Sequence, residues 1–118
     1  MKARNILIAV ALTVSAGVVN AQSHDVTRDA ICAAWFDYKQ RMVSDNPKAQ
    51  QEMKSITQLF VSRMRTQLNQ AQLESKLDEG FKTIRITMQT VVKTNNPKHF
   101  DDMGVGCINY AGNSRLIK

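Results

Sequence analysis

The chain lacks the short signatures that announce a chemistry. Its 118 residues contain no nucleotide-binding loop, no metal-ligand spacing and no nucleophile elbow. Gly104-Val105-Gly106 comes nearest to a phosphate loop. It has no third glycine, no preceding strand and no Lys-Ser/Thr after it, so helix packing or a kink is the better reading. Cysteine is confined to Cys32 and Cys107, with no CxxC and no base beside either one, which argues against a redox or catalytic thiol. The 16 basic and 10 acidic residues are interspersed, and no block of one sign is present to grip phosphates. Nucleic acid is therefore not an expected partner. With two prolines, five glycines and no low-complexity tract, nothing divides the chain into two domains.

Long apolar runs are also absent, except at the start. Lys2 and Arg4 precede an apolar stretch from Ile6 to Val19, which closes on Val19-Asn20-Ala21. A charged beginning, an apolar stretch too short for a membrane span of about 20 residues and small residues at the last and third-last positions describe a secretory signal peptide. Residues 1–21 are expected to be removed, leaving 22–118 as a single domain with no stable membrane insertion. Loss of Lys2 and Arg4 takes the formal charge from +6 to +4. The expected location is the periplasm, with release to the medium as an alternative.

Export places the two cysteines in an oxidising compartment, where one intramolecular pairing is open to them. A Cys32–Cys107 bond closes a loop of about 76 residues and contributes roughly 4 kcal/mol in the chain-entropy treatment. So small a domain has little core to spare, and a covalent staple is the usual remedy.

The patterning that remains is helical. Ile31, Ala34, Trp35, Tyr38 and Met42 recur at three- and four-residue steps over 26–43, behind Asp25 as a cap and with Asp29 in the first turn. Ser44-Asp45-Asn46-Pro47 interrupts, and Asn46 with Pro47 starts a second helix. Its stripe is Ala49, Met53, Ile56, Phe60, Met64, Leu68 and Ala71. The phase slips over 69–74, where a turn is expected, and Ser75 with Asp78 resembles a capping box for a third helix. Leu77, Phe81, Ile84, Met88, Val91 and Val92 form its apolar set. Gly80 suggests a close neighbour, and the weak helix formers from Thr83 leave a strand as the alternative there. Asn96-Pro97 repeats the start device for a fourth helix over 97–111, carrying Phe100, Met103, Cys107 and Tyr110, with Gly112 as its C-cap and 113–118 as a frayed tail. The Asn-Pro-Lys at 46–48 and 96–98 is one device used twice, not a repeat. The expected fold is all-α, a small four-helix bundle stapled by Cys32–Cys107.

Candidate sites are few. His99 with Asp101 and Asp102 is the one cluster suggestive of acid–base or metal chemistry, but zinc needs three or four ligands, so a solvated first turn is the better reading. Asp78 and Glu79 are consecutive and point about 100° apart, so they do not converge. On the third helix, Thr83, Thr87, Thr90 and Thr94 form a polar stripe. Lys82, Arg85, Gln89 and Lys93 form a basic edge, and Ile86 projects among them. Lys82, Arg85, Ile86 and Lys93 are the candidate contact for an acidic protein partner; Arg63 and Arg65 invite the same reading. No cofactor is expected. The functional expectation is a non-catalytic binding protein of inhibitor or immunity type, acting by occlusion. A pilotin-like or secretion-associated assembly component and a periplasmic chaperone are the alternatives.

Overall fold

The computed structural model describes residues 25–117; the expected signal peptide lies outside the described residues. Four helices run as α1 (Val26–Met42), α2 (Pro47–Arg65), α3 (Gln70–Thr94) and α4 (Lys98–Asn113), and no strand occurs among the described residues. Short connections fold them into an all-α bundle, and Cys32 of α1 is bonded to Cys107 of α4.

The starts of α1, α2 and α3 are each set by a side chain that satisfies backbone N–H groups the helix cannot. Asp25 accepts from the Arg28 N–H at 2.6 Å, and Asn46 accepts from the Ala49 N–H at 3.1 Å with Pro47 behind it. The α2–α3 turn departs from the sequence expectation. α2 ends at Arg65, and α3 begins on a capping box of Asn69 and Gln72, with both reciprocal bonds at 2.9 Å. Ser75 and Asp78 lie inside α3, so the apparent stripe through Leu68 and Ala71 spans two helices. Two satisfied backbone donors reset the chain without glycine or proline.

α3 stays helical to Thr94, so the strand alternative is excluded. Thr83, Thr87, Thr90 and Thr94 each donate a hydroxyl bond to the carbonyl four residues back. Asn95 then closes the helix in the left-handed region, at φ 53°.

α1 is the central helix. Asp29, Ala30 and the run 32–36 are all buried, so α1 is covered on most sides instead of showing one apolar face. Its alanines let neighbours close in. A Cβ on Gly80 of α3 would sit 2.4 Å from the Ala30 carbonyl oxygen, which confirms the close approach that Gly80 suggested. Gly104 plays the same part for α4, where a Cβ would sit 2.2 Å from the Trp35 ring.

Six of the seven aromatic residues touch in one chain through the core: Tyr38, Phe100, Trp35, Phe36, Phe60 and Tyr110. The Trp35 indole N–H donates to the Phe100 carbonyl at 2.9 Å, so the buried ring leaves no polar atom unpaired. Through Ile117, the last described residue, the C-terminal tail is not frayed. Arg115, at φ 63°, takes the left-handed position expected of Gly112. The Leu116 N–H bonds to the Ala111 carbonyl at 2.8 Å, and Leu116 and Ile117 pack on the core.

Candidate functional site

One polar cluster is buried where α1, α2 and α4 meet. Asp29 is fully buried, and Arg63 grips it with two bonds, Nη2–Oδ1 at 2.7 Å and Nε–Oδ2 at 3.1 Å. Tyr110 donates its hydroxyl proton to the same carboxylate at 2.6 Å and accepts from the Asp25 N–H at 3.0 Å. Arg63 also reaches the Ser114 hydroxyl at 2.7 Å, and that hydroxyl donates to the Tyr110 carbonyl. Burial, reinforced by the Asp29 bond, pushes the Tyr110 phenol well above its ordinary value of 10. The carboxylate, guanidinium and hydroxyls satisfy one another, so the arrangement works as a lock between helices and presents no free nucleophile or base.

Sequence reasoning misses this lock. It places Asp29 in the first turn of α1, where its charge suits the helix dipole, and Arg63 on an outward contact surface. In the fold both point inward. The available signal is positional: Asp29 is one helical step from Cys32 and Ala33, and Arg63 is three residues from Phe60 and adjacent to Met64.

The His99 cluster does not assemble. His99, Asp101 and Asp102 are all exposed in the first turn of α4, and Asp102 pairs with Lys98 at 2.7 Å. No group of three His, Cys, Asp or Glu residues among the described residues is placed to hold a metal ion. Asp78 and Glu79 do not converge either, and Glu79 is exposed near Lys76.

The other feature is a surface groove. Tyr38 of α1 and Arg85, Met88, Gln89, Val92 and Lys93 of α3 line an open groove of about 420 Å³. Its position follows from the Gly80–Ala30 contact. Beyond that contact α3 runs beside α1, and eight to twelve residues on, Met88 and Val92 lie level with Tyr38 and the last turn of α1. The apolar stripe of α3 continues here without a helix to cover it. Val92 is 78% exposed and Met42 51%. Periodicity assigns Met88, Val92 and Met42 to core faces; Met88 is half-buried and the other two face solvent.

Of the four candidate contact residues, Arg85 and Lys93 flank this groove, while Lys82 and Ile86 lie outside it. Ile86 is 55% exposed. Neither Arg85 nor Lys93 has an acidic partner among the described residues. Thr87, placed by sequence in an outward polar stripe, is instead buried against Met103 of α4. No described helix is long and apolar enough to cross a membrane.

No protein family, curated protein or solved structure matches the chain.

Proposed function

We propose that the chain is an exported, non-catalytic binding protein that occludes a protein partner through the C-terminal half of α3, in the manner of an inhibitor or immunity protein. The observation that carries this reading is the groove: an apolar surface between two cations with no internal partner. An exposed apolar patch rimmed by polar groups is the usual mark of an interaction site. Cations left unpaired beside it attract an acidic partner and speed its approach. The signal-like start and the disulfide support export, with the periplasm as the expected site of action.

The test places a photo-crosslinking residue at Ile86 in the native host, with Lys54 on α2 as the control position. The protein captured from Ile86 is then purified and titrated against the wild type and against Arg85→Glu/Lys93→Glu. A one-to-one complex weakened about tenfold or more by the double reversal is expected, since two attractions become repulsions. Equal binding by both forms, or adducts from Lys54 alone, would refute the proposal.

A further inference from the structure

The groove restricts the shape of what it can hold. Arg85 and Lys93 are eight residues apart on one helix, about 12 Å along its axis. Between them lie the apolar floor of Tyr38, Met88 and Val92 and the Gln89 amide. A matching ligand needs two negative charges spaced on the order of the 12 Å between these two backbone positions, with an apolar group between them. From this spacing we infer that the occupant is a helical segment of a protein partner, carrying acidic residues at i and i+7 or i+8 and an apolar anchor at i+3 or i+4. The inference rests on the docking role proposed above for this face.

Two arguments select a helix. Along an α-helix, seven residues rise about 10.5 Å and return to within about 20° of the same direction, and eight rise about 12 Å and lie about 80° round, so the acids and the anchor share one side of the helix. An extended peptide reaches a similar span in about four residues, but its backbone would need partners at the groove wall. The walls are helices whose N–H groups along the groove are already bonded within each helix, so they offer no donors to an added strand. A helix carries its backbone bonds with it. Arg85 suits a carboxylate through its planar fork, and Met88 is an adaptable floor for an aliphatic anchor.

The experiment uses the full mature chain and a hydrocarbon-stapled, alanine-based peptide of about 16 residues, long enough to hold a helix across the groove. Its two glutamates are seven residues apart, with a leucine pair midway between them. One control peptide brings the glutamates to a spacing of four and keeps the leucine pair; another replaces both glutamates with lysine. Binding is read from the Met88 methyl signal by NMR and by titration calorimetry, with dodecanoate tested in parallel. The peptide with the wide acid spacing is expected to shift Met88. It should bind about threefold to fivefold more weakly to Arg85→Ser or Lys93→Ser, the effect of one exposed ion pair, while their thermal midpoints stay at the wild-type value. Equal affinity for the two acid spacings overturns the inference. So does a Met88 shift with dodecanoate while every peptide is silent, which would make the groove a site for small anionic amphiphiles. If the partner captured at Ile86 loses affinity for Arg85→Glu/Lys93→Glu but no peptide moves Met88, the helix inference fails and the docking face stands.

Discussion

At one end of the bundle, Tyr110, Arg63 and Ser114 close over Asp29, and the Cys32–Cys107 bond ties α1 to α4 close by. At the other end, Tyr38, Met42, Met88 and Val92 meet solvent, and Arg85 and Lys93 stand without acidic partners among the described residues. The same helices make both ends, so the difference lies in what crosses between them. At the closed end a covalent bond, a two-bond ion pair and a phenol hydroxyl span separate helices. Toward the open end the side-chain bonds between helices are neutral, among them those from the Trp35 indole to the Phe100 carbonyl and from the Gln50 amide to the Gln40 carbonyl, and the threonine hydroxyls of α3 turn back onto its own carbonyls. The covalent and charged links between helices are thus concentrated at one end, and the uncovered apolar surface lies at the other.

The largest effect is expected from the disulfide. Replacing Cys32 and Cys107 together with Ser frees a loop closed over a sequence separation of 75 and should cost about 4 kcal/mol. That is a large share of the roughly 5–15 kcal/mol that holds a domain together. Urea unfolding measures it, and a loss under about 1 kcal/mol would show that the closed end does not depend on its staple.

Next comes Arg63→Met, at about 3 kcal/mol, because it leaves the Asp29 carboxylate buried and unpaired. Asp29→Leu combined with Arg63→Met should cost clearly less than the two single changes summed, since no lone charge remains. Additive costs would mean that the two residues do not act as a pair.

The two ends also differ in how far the sequence reveals them. The helices, the Asn46–Pro47 start, the disulfide and the close approach at Gly80 are legible because each depends on local spacing or on a count of two cysteines. The turn at 66–69 is hidden because Asn69 with Gln72 and Ser75 with Asp78 share the same three-residue spacing, and packing decides between them. The Asp29–Arg63 pair spans 34 positions, and no local pattern registers it. At the open end, Arg85 and Lys93 stand out from the basic edge of α3. Periodicity assigns Met42 and Val92 to the core, and Met88 more than its half-buried position bears, because it identifies a face without telling whether another helix reaches it.

Tyr110→Phe should cost about 1–2 kcal/mol, as it removes the hydroxyl shared by Asp29 and Asp25. It also tests the closed end by pH. The folded phenol is held above its unfolded value of about 10, so it contributes stability that is fully present below that pH. As pH rises past about 10 the unfolded chain loses the proton first, and the contribution is lost progressively toward the folded value. Wild type should therefore lose stability above about pH 10 more steeply than Tyr110→Phe in matched urea titrations. Parallel curves would mean that Tyr110 is not held protonated by the fold.

The smallest effect on stability is expected at the open end. Val92→Ser and Arg85→Ser should each change unfolding free energy by less than about 0.5 kcal/mol, because neither side chain is covered by another helix. The same two changes should weaken binding of the partner captured at Ile86. A surface held only for folding would show the reverse, a clear loss of stability with binding unchanged. The contrast between the ends thus reduces to one measurable quantity, the ratio of binding loss to stability loss, high at Val92 and Arg85 and low at Arg63 and Tyr110. If Val92→Ser proved as destabilising as Tyr110→Phe, the open end would be part of the folding core, and its exposed apolar groups would need another explanation.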